Sequence, residues 1–296
     1  MKVIIYILAV SCFSAALPSP FPREKLQIGL LTISFQQLPW NEIKGRNIYI
    51  KPIFNHTAIR NDSTNVRIID GDHALPHSRP YQAALIINGE SFCSGSLISP
   101  NYVLTAAHCT FSASYVEIIL GAHYLNIEEH SQLRVTSTNI IIHEGYMRPD
   151  RHSNDISLIK TPNYIVTNNY IQIIKLAQAD AGSYDGYIGA LSGWGTTSDS
   201  SSTLSPGLLE TYLTIISNTW CSDYYEPGII TPSILCSWGI VQTGPCNGDS
   251  GAPHLVGQVQ VGLVSFLPSD GCESWYPSGY TRISYYRPWI NQHTDL

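Results

Sequence analysis

Apolar residues recur along this chain in short bursts rather than in long helical stripes. Segments 83–88 (AALIIN), 96–98 (SLI), 116–121 (VEIILG), 133–143 (LRVTSTNIIIH), 189–194 (GALSGW) and 258–266 (QVQVGLVSF) are apolar or alternating runs bounded by turn residues. Each reads as a strand. A helical period appears only near the end, where 285–293 (YYRPWINQH) puts Tyr286, Trp289 and Ile290 on one face. Many short strands without alternating helices predict an all-β architecture, a sandwich or paired barrels, ending in a short C-terminal helix.

Composition narrows this further. With 296 residues, 44% hydrophobic and only 13% charged, the chain has enough apolar mass for a substantial core, which excludes a disordered or coiled-coil protein. No apolar run long enough to span a bilayer occurs beyond the N-terminus, so no membrane-spanning helix is expected. The N-terminus itself, with Lys2, an apolar stretch through Phe13 and then Ser14 and Ala16, reads as a secretory signal over residues 1–16. Secretion implies an oxidising compartment. Cys12 leaves with the signal, and the six that remain, Cys93, Cys109, Cys221, Cys236, Cys246 and Cys272, are even in number and lack the CxxC spacing of a zinc site.

Charge divides the chain at Arg67. Residues 1–67 carry 8 Lys/Arg against 3 Asp/Glu (net +5), and residues 68–296 carry 8 against 19 (net −11). The acidic body argues against a nucleic-acid partner, which needs a basic face. Residues 17–67 hold no cysteine, several prolines and two glycosylation sequons, at Asn55 and Asn61, which suit an exposed segment. His73, His77, His123, His130 and His143 fall in no metal-ligand spacing, and no metal or other cofactor is expected.

Three local patterns carry chemistry. In GDSGAP (248–253), Ser250 lies among small, flexible residues, as an exposed nucleophile requires if backbone N–H groups are to converge on an oxyanion. In LTAAHC (104–109), His108 follows an apolar strand, and in NDISLI (154–159), Asp155 precedes an alternating one. A serine hydroxyl is a weak nucleophile until a histidine takes its proton and a carboxylate fixes that histidine's tautomer, so the three patterns explain one another.

LTAAHC, NDISLI, LSGWG (191–195), GDSGAP and the IIDG start at 68–71 stand in the order and spacing of the trypsin-like (chymotrypsin-fold) serine proteases, and the resemblance covers residues 68–296. It implies two six-stranded antiparallel Greek-key barrels with the cleft between them. His108 would be the general acid/base, Asp155 its orienting partner and Ser250 the nucleophile, with the N–H groups of Gly248 and Ser250 as the oxyanion hole. The implied disulfides are Cys93–Cys109, Cys221–Cys236 and Cys246–Cys272.

The resemblance also makes residues 17–67 an activation propeptide. A trypsin-like partner would cut after Arg67, and the new amine of Ile68 would turn inward to pair with Asp249. The implied pocket has Gly244 at its base and Pro245, Asn247, Ser265, Phe266, Leu267 and Ser278 in its walls. None of these is acidic, so an aromatic or large apolar residue is expected before the cut rather than Arg or Lys. A glycine base and the segments at 227–230 and 271–274 resemble the collagenolytic chymotrypsin-like enzymes of insects and crustaceans. Four positions depart from the pattern. Leu267 replaces a pocket-mouth glycine, Phe266 a tryptophan, Ser94 the glycine of CGGSL, and Ala252 the second glycine of GDSGG. Ala122 stands where the calcium loop has its first acid, so no calcium is expected.

The expected protein is thus a secreted, monomeric zymogen of a serine endopeptidase acting on proteins or peptides and open to protein inhibitors. The alternatives are a catalytically silent homologue with a binding role, or an elastase-like enzyme whose pocket Leu267 restricts.

Overall fold

The computed structural model describes residues 26–28, 31–33, 72–149, 153–201, 203–239 and 243–296. The expected leader, the sequons at Asn55 and Asn61, and the Arg67–Ile68 bond lie outside the described residues. The chain forms two units, Met1–Asn61 and Asp62–Leu296. In the first, β1 (Leu26–Ile28) pairs antiparallel with β2 (Leu31–Ile33).

The second unit opens with β3 (Asp72–His73) and holds two large sheets. The first comprises β4 (Gln82–Ile87), β5 (Ser91–Ser99), β6 (Tyr102–Thr105), β7 (Val116–Leu120), β8 (Leu133–Ser137), β9 (Ile140–Ile142) and β10 (Ser157–Lys160), in the order β8-β7-β4-β5-β6-β10-β9. The run at 133–143, expected as one strand, is therefore two. Its first part pairs with β7 and its second with β10, and it turns between them. The Ser137 hydroxyl holds this corner, donating to the Lys160 carbonyl (2.6 Å) and accepting from the Asn139 N–H (3.0 Å). β8 and β9 are the two ends of the path, and this covalent corner between them curls the sheet into a half-barrel, with no ladder between β8 and β9 among the described residues.

The second sheet comprises β11 (Lys175–Leu176), β12 (Ile188–Gly193), β13 (Leu209–Ile216), β14 (Ile234–Trp238), β15 (Pro253–Val256), β16 (Val259–Phe266) and β17 (Ser278–Arg282). Its path β16-β15-β12-β13-β14-β17 closes through β16–β17 pairing into a six-stranded barrel, with β11 added in parallel to β16. Burial alternates along β13, where Leu209, Thr211 and Leu213 point inward and Tyr212 outward.

One apolar cluster fills the first barrel around Leu85, Leu97, Val103, Ile118 and Ile159. Another fills the second around Leu191, Leu213, Leu235, Leu263 and Tyr280, and it reaches Ile98, Leu104, Ile156 and Leu158 of the first sheet. The barrels thus share a continuous core. Buried amides cross it. Gln82 and Ser192 exchange two hydrogen bonds (3.0 and 2.9 Å), and Ser96 donates to Gln260 (2.7 Å). Such groups satisfy each other only at one relative placement of the barrels.

Among the described residues helices are few: α1 (Ala107–Thr110), α2 (Asn218–Ser222) and α3 (Ile283–His293). α3 begins two residues before the expected 285–293 run and buries the anticipated face of Tyr286, Trp289 and Ile290. Among the described residues no helix is long and apolar enough to cross a membrane.

Candidate active site

β6 and β10 pair with Ser157 opposite Thr105. That register puts Asp155, just before β10, beside His108, just after β6 in α1. The Cys93–Cys109 disulfide ties α1 back to β5. Asp155 is almost fully buried, and its two carboxylate oxygens face His108 along two lines. Oδ1 accepts the His108 backbone N–H (2.9 Å), and Oδ2 meets Nδ1 (2.8 Å). A carboxylate can only accept, so Nδ1 carries the ring proton and Nε2 is left as the base.

The second barrel completes this clamp. Ser265, at the end of β16, donates to Asp155 Oδ2 (2.6 Å), and Thr281 of β17 donates to the Asp155 carbonyl (2.6 Å). Asn154 adopts the left-handed conformation (φ 56°) and accepts from the Tyr286 hydroxyl of α3 (3.0 Å). About a third of the His108 side chain (33%) remains open to solvent. Partial burial pulls the His108 pKa down, but the charge of Asp155 and the hydrogen bond to it outweigh that and hold it above the usual histidine value.

Ser250 comes from the turn before β15. Asp249 N–H bonds to the Cys246 carbonyl (2.9 Å), Ala252 N–H to the Asp249 carbonyl (2.8 Å) and Gly251 N–H to the Val264 carbonyl (2.8 Å). The turn is pressed against the first barrel, where Ser94 N–H donates to the Ser250 carbonyl (2.8 Å). Gly251 (φ +80°) makes this contact possible, since a Cβ there would collide with Thr105 Oγ1 and the Ser94 carbonyl. Ser250 is thereby set against the segment that leads into His108. Gly248 is also left-handed (φ +100°). Among the described residues, none of the backbone bonds that fix the turn uses the N–H of Gly248 or Ser250.

Asp249 points away from Ser250 into a fully buried cradle. Its oxygens accept the N–H groups of Gly195 and Cys246 (2.9 Å each), and side chains at Gly193 or Gly195 would strike the carboxylate. Burial outweighs these two bonds and pushes its pKa up to about 6.

Gly244, expected at a pocket base, is buried, and among the described residues a Cβ there would meet only the Ser278 hydroxyl, at 3.8 Å. Pro245 and Ser278 are buried beside it, while Asn247 is exposed. The tip of the Phe266 ring covers Gly279, where a Cβ would strike it, and the ring stands edge-on to Tyr225 (5.3 Å between centroids), whose hydroxyl donates to the Pro277 carbonyl. Leu267 packs against the Cys246–Cys272 disulfide. Cys221–Cys236 joins α2 to β14, so all six cysteines expected to pair do so. The loop after Ala122 is closed by Glu129, whose carboxylate accepts the N–H groups of His123 (2.6 Å) and Tyr124 (3.0 Å).

Residues 68–290 match the family model described as Trypsin. The chain belongs to the trypsin family. It is 38% identical to brachyurin of Leptuca pugilator over 229 residues, spanning 77% of this chain and 99% of that one. It is 36% identical to a collagenase of Hypoderma lineatum, over 82% of this chain and 93% of the relative. A chymotrypsin of Phaedon cochleariae is also 36% identical, over 84% and 89%. The solved structure of HL collagenase superimposes with a TM-score of 0.70 at 35% identity, covering 77% of this chain and 99% of that chain. This trypsin-family protein is a serine endopeptidase with the two-barrel fold.

Sequence reasoning did not find three contributors to the site. The hydroxyls of Thr281 and Tyr286, which hold Asp155 and Asn154, lie 126 and 132 residues from their partners, and no local pattern marks them. The Ser94 hydroxyl, noted only as a departure, donates to the Gly248 carbonyl (3.3 Å).

Proposed function

We propose that this serine endopeptidase is a secreted zymogen, activated by cleavage after Arg67, that cuts after aromatic or large apolar residues. The observation that carries the reading is the clamp on Asp155, which fixes the His108 ring with Nε2 as its free base.

In this reading the Ser250 hydroxyl attacks the substrate carbonyl while its proton passes to His108 Nε2, and the imidazolium is held by Asp155. The oxyanion lies between the N–H groups of Gly248 and Ser250, which the turn leaves open for it. His108 then gives its proton to the departing amine, the peptide C–N bond breaks and an acyl ester stays on Ser250. Water, deprotonated by His108, repeats the sequence and frees the acid product.

Latency centres on Asp249. A buried carboxyl held near pKa 6 by burial calls for a cation, and the Ile68 α-ammonium would supply it after the cut. For specificity, the open base at Gly244 and the hydroxyl of Ser278 suit an uncharged side chain, because a guanidinium there would be buried without a counter-charge. Three intramolecular disulfides accord with secretion.

The test treats the purified chain with trypsin, follows N-terminal sequence and activity together, and profiles a peptide library. A new terminus beginning Ile68-Ile69-Asp70-Gly71, activity appearing with it, labelling of Ser250 by a serine-directed phosphonate, and cuts after Phe, Tyr or Leu are expected. Absence of labelling would leave the inert-homologue reading, and cuts only after Ala or Val the elastase-like one.

A further inference from the structure

We propose that Asp199 is a positioning residue of the specificity pocket, the clasp of a polar seam that fastens the segment after β12 to the pocket's far rim. The inference rests on the reading of residues 244–247 and 265–267 as that pocket.

The seam starts at Asp249 and runs outward. Gly195 N–H donates to Asp249 Oδ1 (2.9 Å), Thr196 N–H to the Asn247 carbonyl (2.8 Å), and Thr196 Oγ1 to Cys246 Sγ (3.1 Å). Three residues later the Asp199 carboxylate crosses to the other side of the pocket. Its Oδ1 accepts the Cys272 N–H (2.7 Å) and its Oδ2 the Glu273 N–H (3.1 Å). Glu273 returns the bond, its Oε2 accepting the Asp199 N–H (2.9 Å).

The rim is shaped for this carboxylate. Gly271 adopts φ +104°, Gly271 N–H closes a turn on the Pro268 carbonyl (3.1 Å), and a Cβ at Gly271 would strike the Asp199 carboxylate. A surface acid with no structural task makes no such set of contacts. Among the described residues neither Asp199 nor Glu273 forms an ion pair, so both carboxylates are committed to backbone N–H groups.

The Cys246–Cys272 disulfide joins the wall that begins at Gly244 to the rim that begins at Leu267, and Leu267 packs on that bridge. A disulfide fixes one point of a loop and leaves rotation about it. Asp199 supplies a second fixed point beside the first, which holds Leu267 on the disulfide and away from the space above Gly244.

The test uses trypsin-activated full-length protein and paired substrates with Phe or Leu before the cut. Wild type must first cleave them and be labelled at Ser250 by a serine-directed phosphonate, and a failure here overturns the proposed function rather than the clasp. Asp199→Ala should then raise KM for the Phe substrate roughly tenfold, with kcat changed by less than about threefold and the Phe-to-Leu preference altered. Asp199→Asn, which keeps one acceptor, should fall between. Wild-type KM and preference in Asp199→Ala would overturn the proposal, as would a kcat loss accompanied by a lowered Tm at constant KM. If Asp199→Ala does not fold, Glu273→Ala, which removes only the return bond, should still raise KM about two- to threefold, and an unchanged KM there would overturn it equally.

Discussion

On the first-barrel side of the cleft, both carboxylate oxygens of Asp155 and its carbonyl have a donor, and the bonds that hold His108 come from within the folded body. Across the cleft, Asp249 is buried more completely yet has only two backbone N–H groups, and its carboxyl is pushed up to about 6. The contrast separates two jobs. The His108–Asp155 half has its hydrogen bonds supplied within the folded body, whereas the half that carries Ser250 buries a carboxyl on two backbone N–H groups. Under the proposed activation, the Asp249 cradle is where the Ile68 ammonium would be needed.

The widest expected effect tests whether the halves act as one machine. Ser250→Ala and His108→Ala should each lower kcat about 10⁴-fold or more, and the double variant scarcely further, when the activated protein is assayed on a peptide anilide. Additive losses would show that the two halves act separately.

Next in size is Asp249→Asn. After the Arg67–Ile68 bond is cut, this variant should remain about 10²-fold or more below wild type, because the neutral amide cannot hold the new ammonium. The His108 ring signal in an NMR titration should move as in wild type. A disturbed His108 titration would show that the Asp249 cradle, and not only Ser265 and Thr281, acts on the His108–Asp155 pair.

A smaller effect concerns pH. His108 works as a base only when neutral, and Asp155 holds its pKa above the usual histidine value. Activity is therefore lost as pH falls through that raised pKa, and the acid limb of kcat/KM should lie above ~6.5. Asp155→Asn should move the residual limb to lower pH. Ser265→Ala, which removes a competing donor from Asp155 Oδ2, should move it upward.

The smallest effect is expected at Ser94, whose side chain bridges the two halves at the turn. Ser94→Ala removes its hydrogen bond to the Gly248 carbonyl and should lower kcat about two- to fivefold with KM unchanged. A full-strength variant would show that the backbone bond from Ser94 N–H alone carries the bridge.

How much of this could be read from sequence follows from the range of each interaction. Six apolar runs announced strands, and α3 was legible because Tyr286, Trp289 and Ile290 repeat at helical spacing. His108, Asp155 and Ser250 stood out because each sits in a short pattern whose neighbours serve it, such as Gly251, which lets the turn touch β5 and β6. The bend at Ser137 was missed because the apolar run continues through it, and only pairing with two different strands breaks it. That Leu267 packs on a disulfide closed across 26 residues is visible only in three dimensions. Thr281 carries no local mark, and the helical spacing of Tyr286 marks its burial but not its bond to Asn154, since both tasks are defined only by what folds against them.

The bond from Tyr286 to Asn154 also bears on how the protein is made. Synthesis runs from the N-terminus, so His108, Asp155 and even Ser250 leave the ribosome before the helix that props the residue next to Asp155. α3 is the last element of the chain, and Trp289 within it reaches back to Glu144 (3.0 Å). A polypeptide that has not yet reached α3 therefore lacks the prop, and the residue next to Asp155 is braced only once that helix has docked. A chain cut short before α3 would keep His108, Asp155 and Ser250 and lose the brace on Asn154.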